Sequence, residues 1–343
     1  MPTVSDQWIA PRRILFGPLD EALRTLAPPG PIALLGSARA LALVHDDAFG
    51  GADVHRFSGS RKHTPREVVR EALALVENAR CASVVAIGSS SAIDLGKAVA
   101  DAAGLPLVLI PTALGGAEMT RGYGVVEGDR KAGGRLRRPA QTVIYDAALL
   151  ATLPARELGS IGINAWAHTI EASYARRQHA LGGAAALAAG RALPRLLLEG
   201  ARERTPQLHR ELFEAAHLAG FALDTRSMGL HHAVCHVIGG MTLIPHGIVN
   251  AVVLPHAIRA NARIAPEAVA AVATSFGIPD LAAQAEAISA AFDLPRTFAE
   301  LGARADLPQR ALPRVMKEPL LANNPAEPSE AVVAELLDAA YGG

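Results

Sequence analysis

A chain of 343 residues, half of them hydrophobic and 19% charged, carries enough apolar side chain for two cores and is not a disordered protein. Lysine plus arginine equals aspartate plus glutamate at 33 each, so there is no net field to hold a polyanion such as DNA or an acidic membrane surface. Its two cysteines, Cys81 and Cys235, lie far apart in apolar settings, which argues against a disulfide framework and for a reducing, cytoplasmic compartment.

The first residues, MPTVSDQWIAPRR, have no apolar signal-peptide core. No uninterrupted apolar run reaches the roughly 18 residues of a membrane span. The sequence therefore predicts no membrane or nucleic-acid partner.

From Ile32 onward, short apolar runs alternate with helical patterns: Ile32 to Leu35, Ser83 to Ile87, Leu107 to Ile110 and Thr142 to Tyr145. Buried parallel strands read this way. Ser91 to Ala103 places Ile93, Leu95, Ala98, Val99 and Ala102 at helical spacing and completes a βαβ unit, so residues 1–150 are expected to form a doubly wound, Rossmann-like α/β domain. Beyond Leu153-Pro154 the chain turns to Ala- and Leu-rich helical segments, such as Gly182 to Glu199 and Ala282 to Ala291, and residues 151–343 are expected to form an all-α domain. Pro319 to Pro328 reads as an exposed loop before a last helix, Ser329 to Tyr341.

Gly88-Ser89-Ser90-Ser91-Ala92-Ile93-Asp94 sits at a strand end and opens a helix. Small residues let the backbone approach a phosphate, and the first N–H groups and the helix dipole favour an anion there; an ordinary serine-capped helix start looks the same. A second small-residue turn, Pro111 to Thr120, follows the next strand, and two such turns on neighbouring strands make a crevice of the kind that holds nucleotides. After the first strand, Gly36-Ser37-Ala38-Arg39 offers Ser37 to a nucleotide and no acid to a ribose 2′-hydroxyl. Arg39 reads either as a partner for a 2′-phosphate or as a solvated surface residue, leaving NADH and NADPH both open.

Asn164 and His168 are four apart in one helical pattern, and His232 and His236 in another, with His246 following at a Pro-His-Gly turn. Spacing of four puts two side chains on one helix face. His168 or His256 alone reads as a core histidine, but the run HHAVCHVIGGMTLIPHG packs four histidines into sixteen positions and reads as a site. Imidazoles bind Zn or Fe and relay protons near neutral pH.

These motifs resemble the iron-containing alcohol dehydrogenase superfamily. Gly88 to Asp94 is similar to its GGGSxxD pyrophosphate loop and Pro111 to Glu118 to its second nucleotide loop. Thr142 to Asp146, Asn164 to His168 and Leu230 to His236 look like its maleylacetate reductase branch. The resemblance implies an NAD(P)H-dependent oxidoreductase, active in aromatic compound catabolism and homodimeric, that reduces a carbonyl or an activated double bond of a small substrate. It implies that Gly88, Ser89, Ser90 and Ser91 hold the pyrophosphate, with Asp94 at the loop's acidic position. Thr112, Ala113 and Met119 would lie along the nucleotide, and Lys131 would reach its ribose or phosphates. Asn164, His168, His232 and His246 fall on the metal-ligand positions and His236 on that of a proton-relay histidine near the substrate.

The departures from the pattern carry their own expectations. Asn164 stands where metal-dependent members have Asp, and a neutral amide is the poorer ligand, so a divalent Fe or Zn would be weakly held or absent, with His232, His246 and His168 serving the substrate. Ala233, Asn250 and Ala326 replace a Lys, a His and an Arg expected in the maleylacetate reductase branch, which weakens the case for a dicarboxylate. Arg121, Arg226 and Asn164 are the remaining candidates to bind the substrate. Two other classes compete with the reductase: a non-redox lyase, isomerase or cyclisation catalyst on the same scaffold, and a non-catalytic binding protein.

Overall fold

The computed structural model describes residues 13–127 and 130–343. The signal-peptide reading of the first residues and the side chain of Lys131 lie outside the described residues. The described chain forms two compact units, one ending at Leu153 and the other running Pro154–Gly343.

In the first unit the strands are β1 (Arg13–Phe16), β2 (Ile32–Leu35), β3 (Val54–Phe57), β4 (Ser83–Gly88), β5 (Leu107–Pro111), β6 (Gly122–Glu127), β7 (Arg130–Arg135) and β8 (Thr142–Tyr145). Six of them make one parallel sheet in the order β1-β8-β5-β4-β2-β3. β2, β4, β5 and β8 are buried at every position, which is why they read as apolar runs without alternation. β6 and β7 form a separate antiparallel hairpin. Helices α1 (Leu19–Leu26), α2 (Ala38–Leu41), α3 (Arg66–Asn78), α4 (Ser90–Ala103) and α5 (Ala147–Ala151) complete the unit.

α4 packs tightly on β4: a Cβ on Gly96 would fall 2.3 Å from that of Ala86. α5 starts from an Asp146 cap, and its Leu149 joins the core under β2, β4 and β5. α5 therefore belongs with the first unit, which ends at Leu153.

The second unit is helical: α6 (Ala155–Tyr174), α7 (Ala180–Gly200), α8 (Pro206–Arg226), α9 (Leu230–Met241), α10 (His246–Ile264), α11 (Pro266–Phe276), α12 (Leu281–Ala291), α13 (Leu307–Val315) and α14 (Glu330–Tyr341). Glycines bring its elements close; a Cβ on Gly162 would meet Leu197 at 2.2 Å and one on Gly190 would meet Phe276 at 2.1 Å. Val234, Val253, Phe298, Val315, Val333 and Leu337 form a core shared by α9, α10, α13 and α14.

One expectation changes here. The stretch 319–328 contains a 3₁₀ turn, Pro319–Asn323, rather than loop alone. Helix α7 is long and apolar enough, by length and composition, to cross a membrane. Counting unbroken apolar residues stops at Arg191 and Arg195, whereas average hydropathy tolerates them; half of that stretch is buried inside the protein.

Candidate active site

In the first unit the strand order reverses at β2 and β4: β3 lies on one side of this pair, β5 and β8 on the other. Open α/β sheets bind ligands at the carboxyl ends of strands where such a reversal occurs. The ends that meet there are Gly36-Ser37 and Gly88. A Cβ on Gly36 would fall 2.8 Å from the Ile87 carbonyl, so the two strand ends approach too closely for a side chain. Gly88 has φ +144 and stands 2.8 Å, by its would-be Cβ, from Ala92. Ser89 is the extended N-cap of α4, without a side-chain capping bond, and Ser89 and Ser90 are exposed.

The remaining loop residues are engaged within the protein. The Ser91 hydroxyl accepts from the His63 N–H at 3.2 Å, and its carbonyl accepts from Thr64 Oγ1 at 3.0 Å. Asp94 accepts from the Gly124 N–H at 3.1 Å, tying α4 to β6. Ser37 caps α2 through the Ala40 N–H, and Arg39 donates to the Thr152 carbonyl at 2.6 Å. Ala113 and Met119 are buried, at 5% and 3% exposure. The second loop lies against the first, with Thr112 N–H donating to the Gly88 carbonyl at 3.0 Å. Lys97, buried on α4, donates to the Ala117 carbonyl, to Thr120 Oγ1 at 3.0 Å and to the Gly122 carbonyl at 2.8 Å, and so pins the second loop to the helix behind the first. In sequence Lys97 looks like a surface lysine. Gly88→Ala is expected to cost about 1–3 kcal/mol in this left-handed position and to weaken NAD(P)H binding about tenfold or more, read by quenching of intrinsic fluorescence; unchanged affinity would remove Gly88 from the nucleotide loop.

In the second unit, α6 presents Asn164, His168 and Glu171 on one face, α9 carries His231, His232 and His236, and α10 begins at His246. The rings gather: His168 stacks on His232 with centroids 4.7 Å apart, His236 stands 6.1 Å from His232, and His246 lies 6.2 Å from His236. The sequence-selected Asn164, His168, His232, His236 and His246 are therefore brought together. His236 and His246 are exposed, whereas Asn164, His168 and His232 are buried.

Glu171, which the sequence reading passed over, organises them. Its Oε1 accepts the N–H groups of Gly229 and His231 at 3.0 and 2.9 Å, capping α9 from another helix. Its Oε2 accepts from His232 Nδ1 at 2.5 Å. His231 Nε2 donates to the Asn250 carbonyl at 3.2 Å, so its unprotonated Nδ1 faces His232 Nδ1 at 3.1 Å; these tautomers follow from the hydrogen-bond network. Asn324 accepts the Leu230 N–H at 3.2 Å and pairs with Asn261, completing the cap of α9. Glu171 lies three residues after His168 and seven after Asn164, a helical spacing that marks it as their neighbour.

Burial, reinforced by the charge of neighbouring rings, holds His168 and His232 well below the ordinary histidine range and His231 down to about 3. The three imidazoles are thus neutral at pH 7. Burial raises Glu171, opposed by His231 and by the backbone N–H groups it accepts.

With its Nδ1–H donated to Glu171, His232 turns an Nε2 lone pair toward Asn164 Oδ1 at 3.1 Å. His168 Nδ1 is buried without a hydrogen-bond partner. Two acceptors facing each other beside an unsatisfied imidazole form a donor set that suits a nitrogen-preferring divalent cation, with Glu171 as the carboxylate that orients one ligand from behind. Glu171, His231 and His232 also bring their own ligand atoms within 4.8 Å of one another. Of the arginines selected from sequence, Arg121 belongs to the first unit, and Arg226 ends α8 beside the first turn of α7 without a contact to these histidines.

A doubly wound sheet with glycine-lined strand ends, together with a buried cluster of neutral imidazoles, defines an NAD(P)-dependent oxidoreductase. Residues 11–147 match the iron-containing alcohol dehydrogenase family and residues 160–341 the C-terminal part of the Fe-containing alcohol dehydrogenase family, and the chain belongs to that family. It is 33% identical to a maleylacetate reductase of Burkholderia cepacia, with 96% of each chain covered. It is 31% identical to maleylacetate reductase 1 of Rhodococcus opacus over 97% of this chain and 95% of that one. The crystal structure of maleylacetate reductase from Agrobacterium tumefaciens superposes with a TM-score of 0.88 at 29% identity, covering 99% of both chains. These likenesses support the reductase and give no support to a lyase or isomerase.

Proposed function

We propose that this enzyme reduces a small unsaturated oxo acid related to maleylacetate, with a preference for one carboxylate over two. The observation that carries the preference is the position expected to hold a lysine: Ala233 is fully buried in the α9 core and supplies no cation. The similarity to maleylacetate reductases along nearly the whole chain supports the reaction type.

The nicotinamide supplies a hydride, and a divalent cation, when bound, polarises the substrate carbonyl. Asn164, His168, His232 and His246 would hold that cation. Neutral His168 and His232 keep their lone pairs available, while exposed His236 exchanges protons with solvent and protonates the enolate left after hydride addition. Because Asn164 adds no charge, the metal, Fe or Zn, is held weakly. Asn164→Asp is expected to tighten it about 10–100-fold, measured as metal retained after dialysis; equal retention would show that residue 164 does not ligate.

The reading includes a cytoplasmic homodimer, supported for the compartment by Cys81 and Cys235, which are buried and free. Consumption of NADH and NADPH at 340 nm with maleylacetate and with a monocarboxylate 4-oxo-2-enoate tests the reaction. We expect kcat/KM to favour the monocarboxylate by about tenfold, the cost of desolvating a second carboxylate that meets no cation. No turnover with either substrate would refute the proposal.

A further inference from the structure

A second polar cluster lies in the helical unit at the start of α7. His179 is its N-cap, and His179 Nδ1 accepts the Gly182 N–H at 3.0 Å. The neutral ring therefore carries its proton on Nε2, and that buried Nε2 has no hydrogen-bond partner. The ring packs edge-on against Phe221.

Arg226, the last residue of α8, extends over the same turn. A Cβ on Gly182 would lie 3.2 Å from its Cγ, and one on Gly183 would lie 2.6 Å from its Nη1. Its Nη2 donates to Gln178 Oε1 at 2.9 Å, and its buried Nε has no partner. Arg226 is 7% exposed and His179 9%.

The two unsatisfied atoms are both donors, so what they require is an acceptor. Charge specifies it further. The carboxyl end of α8 favours a cation on its last turn, but the guanidinium finishes over the first turn of α7, where the helix field is positive; Gly182 and Gly183 N–H are taken by His179, which leaves those of Ala180 and Leu181 to a ligand. No carboxylate pairs with Arg226 among the described residues, and burial alone moves its pKa, downward. A buried, unpaired cation against a helix N-terminus is costly, and an oxyanion relieves both defects. Exposed Arg176, Arg177 and Gln178 form the open side.

We propose that His179, Arg226 and the first turn of α7 bind a small oxyanion, a carboxylate or a phosphate group, with none of the clustered histidines taking part. The glycine pair is the recognition element, since it lets the guanidinium lie flat on the turn and share an oxyanion with the two N–H groups that remain open, those of Ala180 and Leu181. This site stands independently of the reductase reading.

The test is thermal unfolding of the full chain saturated with NAD⁺, so that the nucleotide loop is filled, during titration with phosphate, with acetate, and with chloride at matched ionic strength. Wild type should show a saturable rise of about 3 °C with one oxyanion and not with chloride; the arm that responds identifies the group. Arg226→Met should lose the response. Gly183→Ala, whose methyl displaces Nη1, should lose it too and stands in should Arg226→Met fail to fold. Equal responses of wild type and both variants, or no response beyond chloride, would overturn the site.

Discussion

Glu171→Ala is expected to lower the unfolding midpoint of the helical unit by about 10 °C. The carboxylate is 1% exposed and accepts two backbone N–H groups and His232 Nδ1. Removing one partner of a buried charged network costs about 3–5 kcal/mol, because the remaining groups stay buried and unmet. For a unit of this size each kcal/mol shifts the midpoint by about 2–4 °C. Activity should fall with it, since His232 would lose the bond that sets its tautomer and the direction of Nε2. Glu171→Gln preserves volume but presents an amide where three donors converge, and should fall between wild type and alanine. Circular dichroism melts provide the measurement, and a midpoint within 2 °C of wild type for the alanine variant would show that Glu171 is not the organiser of the cluster.

His236→Ala should act in the opposite way, on rate and not on stability. His236 is exposed on α9 while its neighbours His232 and Cys235 are buried. Exposed substitutions away from caps and cores change stability by about 0.5 kcal/mol or less. Loss of a positioned proton donor costs about 10²–10⁴-fold in rate. The expected result is a drop in kcat of at least a hundredfold, an unchanged KM for NAD(P)H and an unchanged melt. A kcat within threefold of wild type would place the proton source elsewhere.

What was legible in the sequence follows from how the signals arise. β2, β4, β5 and β8 stood out because central parallel strands are buried on both faces and must be apolar throughout. β1 and β3 did not, since they close the two edges of the sheet and include Arg13 and Arg56. The β6–β7 hairpin was missed because Gly122, Gly124, Gly133 and Gly134 replace the alternation that marks a strand. The histidine spacing was readable because two of its turns are local to one helix. Its organisers were not: Glu171 acts on α9 across 58 to 61 residues, and Asn324 across 94. In sequence Asn324 carries no signal of its own. Lys97 was hidden for a similar reason, as its three acceptors lie 20 to 25 residues away in a loop whose path the sequence does not reveal.

The capping of α9 by remote side chains also bears on how the protein is made. A helix that begins at a bare Gly229 and borrows its cap from Glu171 and Asn324 has little reason to form alone, since neither its first turn nor its histidines are fixed until distant segments arrive. Asn324 follows the helix it caps by 94 residues. The imidazole cluster therefore depends on a segment far along the chain, and removing Asn324 should leave the histidines present but their helix poorly capped.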